Sequence, residues 1–142
     1  MLVSLLYVSA STLPAEGRER AIDEIVTISN ARNAPLAVTG ALISTPAHFA
    51  QILEGPEPAV DELMASILAD SRHRAVDVIE TGPLVQRWFP DWSLAHSGDS
   101  ATLGAYIAPI LTGDLNARER SEHAVRLFLA MRDLARSVTR PA

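Results

Sequence analysis

The stretch His48-Phe49-Ala50-Gln51-Ile52-Leu53-Glu54 decides the fold, because it alternates like a half-buried strand and sets a glutamine where an apolar residue is due. Side chains change face at every residue of a strand, so Phe49, Gln51 and Leu53 point the same way. A primary amide turned into a core must pair both a carbonyl and an NH2, and leaving either unpaired costs roughly 1–3 kcal/mol. Backbone groups or a water satisfy Gln51, or a ligand does, and the strand alone leaves both readings open.

On its C-terminal side, Gly55-Pro56-Glu57-Pro58 stops the strand, and Pro58 suits the first position of a helix. Val60, Leu63, Met64, Ile67 and Leu68 then follow at helical spacing, a stripe that reads as core. The helix is expected to run out in Asp70-Ser71-Arg72-His73-Arg74, where cations suit a C-terminus. That accounts for one of the basic residues, not for all three. On its N-terminal side, Thr45-Pro46-Ala47 reads as the turn of a hairpin whose other strand is Ala34 to Ser44, with a bulge or close approach at Gly40.

Leu2 to Ser9 reads as the first strand, with Val3, Leu5, Tyr7 and Ser9 on one face. Tyr7 either reaches a carbonyl at the core's edge or has a functional partner. Between the first two strands, Ile22, Ile25 and Val26 mark a helix from about Glu16 to Arg32, and Ser29 and Asn33 continue its buried face. Ser29 has a bland reading as a hydroxyl bonded back to the preceding turn, and Asn33 as a C-cap. A ligand contact is the alternative for each.

Ala75 to Glu80 and Trp88 to His96 complete the strands, the latter placing Trp92, Leu94 and His96 on one face. The order strand, helix, strand, strand, helix, strand, strand implies an α+β fold: a ferredoxin-like mixed five-stranded sheet with two helices on one face. Beyond Gly98-Asp99 the pattern turns helical. A short helix carries Leu103, Ile107 and Ile110, and a long one from about Asn116 to Val138 carries Leu127, Met131, Leu134 and Val138. Residues 1–97 are therefore expected to form one domain, and 98–142 a C-terminal helical extension that either caps the sheet or joins subunits in a homo-oligomer.

Composition narrows the function. A formal charge of −5 with no lysine and no basic cluster argues against a grip on nucleic acid. Without cysteine there are no disulfides, thiolate metal sites or cysteine nucleophiles, which is compatible with a cytoplasmic setting. No apolar run reaches the ~18 residues that span a bilayer, so no membrane partner is expected. At 142 residues the chain suits one domain with an appended element, and two cores are not expected.

The polar groups on apolar faces form a set: Tyr7 and Gln51 on strands, Ser29 and Asn33 on one helix, Arg72 and His73 after the other. A groove lined by them suits a flat heteroaromatic ligand edged with carbonyls and N–H groups. Leu-Tyr-Val-Ser at 6–9, Asn33 to Leu42, Phe-Ala-Gln-Ile-Leu-Glu-Gly-Pro at 49–56, Asp70-Ser-Arg-His73 and Phe-Pro-Asp-Trp-Ser at 89–93 together resemble the BLUF domain, the blue-light sensor that uses FAD.

The resemblance implies a non-covalently bound flavin between the two helices, FAD first, with FMN or riboflavin as substitutes. It places Asn33 at the pyrimidine edge, with Ser29 and the Asp70, Arg72 and His73 turn also at the flavin. It sets Gln51 between the Tyr7 hydroxyl and the flavin, and implies proton-coupled electron transfer from Tyr7 followed by rearrangement of Gln51. Trp92, Leu94 and Ser9 fall where the family's signal relay lies. Leu94 stands where the family commonly has methionine, and the hairpin turn departs from the usual glycine. No cyclase or phosphodiesterase sequence follows, so the resemblance implies a short, non-enzymatic sensor that signals to a separate protein partner. Two other readings compete. One is a BLUF-like interaction module without photochemistry, motivated by Leu94. The other is a phosphoester hydrolase, which lacks metal-ligand spacing among Glu54, Asp70, His73, His96 and His123.

Overall fold

The computed structural model describes residues 1–90, 93–94 and 101–139. Its elements are β1 (Leu2–Ser11), α1 (Arg18–Asn33), β2 (Thr39–Ser44), β3 (His48–Pro56), α2 (Glu57–Leu68), β4 (His73–Leu84), β5 (Ser93–Leu94), α3 (Ala101–Thr112) and α4 (Ala117–Thr139). Four strands form an antiparallel sheet in the order β4-β1-β3-β2, and two-residue β5 lies parallel to β2 beyond it. Of the expected fifth strand, Trp88 to His96, the described strand residues are Ser93–Leu94, and 88–90 are not strand; Trp92 and His96 lie outside the described residues.

Alternation along β1 and β3 gives the sheet two apolar faces. Leu5, Tyr7 and Leu53 meet Val60, Leu63, Met64 and Ile67 of α2 on one side. Leu6, Val8, Ala41, Ile43, Ala50 and Ile52 meet Leu103, Ile107 and Ile110 of α3 and Leu127 and Met131 of α4 on the other. Two apolar layers therefore flank one sheet, where a single core was expected. Each fully buried Leu, Ile, Val or Met is worth roughly 1.5–3 kcal/mol relative to exposure, which is why the helical stripes of α2 and α4 seat as they do. The C-terminal helices cap the sheet within one chain. The side chains of Leu134 and Val138, the end of the expected stripe, lie outside the described residues.

Several boundaries differ from the sequence reading for local reasons. Ala34–Ala37 is a turn rather than strand: the Asn33 carbonyl accepts from the backbone of Leu36 at 3.1 Å and Val38 at 3.1 Å, and Ala37 takes a φ of 57°. Pairing runs through Gly40 without a register shift. The close approach is at Gly55, where a Cβ would lie 3.0 Å from both the Ala37 carbonyl oxygen and Val38 Cγ2. The bulges are between β1 and β4, beside Tyr7 and between Val8 and Ala10, with Ala75 at a φ of 56°. These irregularities re-aim the residues flanking Tyr7. Meanwhile α2 stops at Leu68, and His73 and Arg74 belong to the start of β4 rather than to the helix end.

Candidate functional site

A cavity with room for water over about 60 Å³, partly open to solvent, lies between α1, the sheet and the end of α2. The sheet contributes Tyr7, Leu42, Phe49 and Gln51, α1 contributes Ile25, Ile28, Ser29 and Arg32, and the far wall is Ile67, Asp70, Arg72 and His73. Strand alternation puts Tyr7, Phe49 and Gln51 on this face, and antiparallel pairing sets Tyr7 directly opposite Gln51.

The Tyr7 hydroxyl donates to Gln51 Oε1 at 2.6 Å, both residues being buried. Among the described residues the Gln51 NH2 donates to no protein group, so the amide has one end committed and one end free. Burial pushes the Tyr7 phenol above its ordinary value of 10.0, the Asp70 charge adds to this, and Arg32 opposes it. The phenol is therefore held firmly in its protonated, donating form.

Ser29 and Asn33 are buried on α1. The Ser29 hydroxyl makes no bond back to the preceding turn, although Thr27 on the same helix does so to Asp23 at 2.9 Å. Asn33 is the last helical residue and is followed by Ala34 in a right-handed conformation, so left-handed capping does not explain it. It stands just outside the cavity lining, and its Oδ1 is buried without a partner among the described residues. An orphaned buried carbonyl costs roughly 1–3 kcal/mol. It is the kind of acceptor that a ring N–H or another donor would satisfy.

On the opposite wall Arg72 grips Asp70 through its backbone N–H at 2.9 Å, its Nε at 2.9 Å from Oδ1, and its terminal guanidinium nitrogen on Oδ2. That grip, with its hydrogen bonds foremost, holds the Asp70 carboxyl below its ordinary range and raises Arg72. His73 Nε2 lies 2.7 Å from the Ile67 carbonyl oxygen and Nδ1 lies 2.8 Å from Ser9 Oγ. A carbonyl only accepts, so Nε2 carries the donated N–H and Nδ1 accepts the hydrogen bond of the Ser9 hydroxyl. Both ring nitrogens are thus engaged within the protein. The imidazole meets the cavity edge-on to Tyr7 and Phe49, with centroids 6.0 Å away in each case.

The cavity brings together Tyr7, Ser29, Gln51, Asp70, Arg72 and His73, with Asn33 behind its wall and Ser9 tied to His73. Leu94 pairs through its backbone with Leu42, while Trp92 lies outside the described residues. Arg32 was missed by the sequence reading. Its signal was the three-residue step from Ser29, which sets it on the same side of α1. Offered here are hydroxyl and amide groups, an acceptor without a donor, apolar walls and guanidinium groups. A flat ring edged with N–H and C=O groups fits that set, whereas among the described residues no group of three His, Asp or Glu side chains could hold a metal.

Comparison with known proteins places the chain in a family. Residues 2–95 match the family model for sensors of blue light using FAD, BLUF. The chain is 34% identical over 108 residues to the photoactivated adenylate cyclase subunit beta of Euglena gracilis, covering 75% of this chain and 13% of that protein. It is 40% identical over 73 residues to the blue light- and temperature-regulated antirepressor BluF of Escherichia coli K12, covering 51% of this chain and 18% of the other. The chain thus spans only a small part of the curated relatives it matches. The dark-state structure of BlrB, a BLUF protein, superposes with a TM-score of 0.68 at 36% identity, over 91% of this chain and 96% of that one.

Proposed function

The chain belongs to the BLUF family of blue-light sensors, and from that premise we propose that it is a flavin-binding photoreceptor whose switch is Gln51, hydrogen-bonded to Tyr7. The 2.6 Å bond between the Tyr7 hydroxyl and Gln51 Oε1 carries this reading, because it leaves the amide with a free donor end beside the cavity. BLUF domains bind flavin, and FAD is the proposed form. Asn33 Oδ1 and the Ser29 hydroxyl would hold its ring, and Arg32 and Arg72 stand at the cavity for anionic groups.

When bound, the flavin supplies absorption of blue light and an excited ring able to accept an electron. Tyr7 is the proposed donor of that electron. Its proton would pass along the existing bond to Gln51 Oε1 while the free NH2 end gives one up on the cavity side, because a phenol buried this deeply does not lose its proton alone. Gln51 then turns or tautomerises, exchanging the end it presents to Tyr7 without a change of net charge. Asp70, Arg72 and His73 fix the far wall through bonds of their own, so the rearrangement begins at the amide on the sheet side.

Residues 1–97 are the proposed sensory unit and 98–142 a cap that also offers a surface for a homo-oligomer. Signal leaves through Ser9, Leu94 and Trp92 toward a separate protein partner in the cytoplasm. The deciding experiment is an absorption spectrum of protein reconstituted with FAD, dark and then illuminated. A reversible shift to the red is expected. Colourless protein, or bound flavin inert to light, would leave only an interaction module.

A further inference from the structure

Glu54 lies three residues beyond Gln51 on β3, and alternation turns it to the other face of the sheet, beside Ala50 and Ile52 in the layer held by α3 and α4. It is 0% exposed. Its Oε1 accepts from the Phe89 N–H at 2.7 Å and its Oε2 from the Trp88 N–H at 3.0 Å. Beside it Arg87 donates to the Glu54 carbonyl at 2.8 Å, to Thr39 Oγ1 at 2.8 Å and to the Ala37 carbonyl at 2.6 Å. The rings of Trp88 and Phe89 both meet Phe128 of α4 edge-on, at 5.7 and 5.8 Å. An unbroken series of contacts thus leads from the central strand to the C-terminal helix, on the side away from the cavity.

We propose that Glu54 is a positioning residue that makes the 87–89 segment, and through Phe128 helix α4, move with the strand that carries Gln51. The proposal rests on reading Gln51 as the switch. A carboxylate with no exposed surface has no water to replace its two N–H donors, so a displaced β3 either carries Trp88 and Phe89 along or strands a buried charge. The second outcome is the costlier one. Burial pushes the Glu54 carboxyl up while the Phe89 and Trp88 N–H groups and Arg87 pull it down, so those donors are what sustain the ion. The rings then hand the motion to α4 because Phe128 is shared between them.

The test is hydrogen–deuterium exchange on the full chain with FAD bound, dark against illuminated, with the absorption shift recorded on the same samples. Wild type is expected to show light-dependent exchange over 87–89 and over 124–131 of α4. In Glu54→Gln, which places an NH2 against an N–H, the red shift persists and both exchange differences are lost. In Phe128→Ala the difference over 87–89 persists and that in α4 is lost. An undiminished α4 difference in Glu54→Gln overturns the proposal, as does a wild type that shifts to the red with no change in either segment. Should Glu54→Gln fail to fold or bind FAD, Phe128→Ala decides alone, and a retained α4 difference there is fatal. A wild type with no red shift overturns instead the reading of Gln51 on which the proposal stands.

Discussion

Asn33 follows Ser29 by one turn on the buried side of α1, and among the described residues neither side chain finds a hydrogen-bond partner in the chain. The buried Asn33 Oδ1 without a donor is a cost to the protein by itself. A ligand removes that cost. Asn33→Ala is therefore expected to weaken FAD binding by roughly 1–3 kcal/mol, about 5- to 150-fold in Kd, while stability without flavin stays level or rises, since alanine leaves no orphan and suits a helix better. Flavin fluorescence titration and urea unfolding check the two halves. Equal loss of stability with and without flavin would make Asn33 a structural residue.

Gln51→Leu should keep flavin bound and abolish the red shift, because leucine fills similar space with neither donor nor acceptor. Tyr7→Phe should do likewise by removing the only group that Gln51 Oε1 is bonded to among the described residues. Absorption difference spectra decide both. A normal shift in either variant would remove the pair from the mechanism.

Acid stability separates the two walls of the sheet. Asp70 is held below its ordinary 3.8 by the Arg72 grip, so its contribution is present above the unfolded value and is lost as pH falls through the lower folded one. Glu54 is held above its ordinary 4.5, so its contribution has the opposite slope, greatest in acid and lost as pH rises through the raised value. The difference in unfolding free energy between wild type and Asp70→Asn cancels the Glu54 part. It should be present at neutral pH and shrink on acidification below about 4. A difference that is flat with pH would mean the grip is not electrostatic.

Much of the site was legible because strand and helix periods expose a misplaced polar residue. Gln51 stood out between Phe49 and Leu53, and Ser29 and Asn33 stood out after Ile22 and Val26. Glu54 escaped for want of the same test on the other parity, where it follows Ala50 and Ile52, and a carboxylate at a strand's end is easily taken for solvent-facing. The strand expected over Ala75 to Glu80 extends to His73–Leu84, because Gly82 and Pro83 sit in an edge strand where a missing donor is tolerated. The start of α4 was readable from Asn116 and Glu119, whose side chains exchange bonds with each other's backbone N–H at 3.1 and 2.8 Å. Which face the C-terminal helices cover was not readable, since an apolar stripe fits a sheet and a second subunit equally well.

The link between Ser9 and His73 gives the last prediction. Ser9 is fully buried on β1, and its hydroxyl is what satisfies His73 Nδ1 while Nε2 holds the end of α2 through Ile67. Ser9→Ala leaves that nitrogen unpaired in a buried place and should cost roughly 1–3 kcal/mol of stability. His73→Leu removes the ring and both its bonds, leaving the Ser9 hydroxyl unpaired while the Ile67 carbonyl keeps the Asp70 N–H at 3.1 Å, at a similar cost. The double variant has no stranded nitrogen, so its cost should fall short of the sum of the singles by about 0.5–3 kcal/mol, the range for groups in direct contact. Urea unfolding of the four proteins without flavin measures that coupling. Because Ser9 bonds to His73 and not to Gln51, Ser9→Ala should retain the red shift of the bound flavin even as it loses stability. Strict additivity would show that the bond contributes nothing, and a vanished red shift would move Ser9 from the frame of the cavity into the switch.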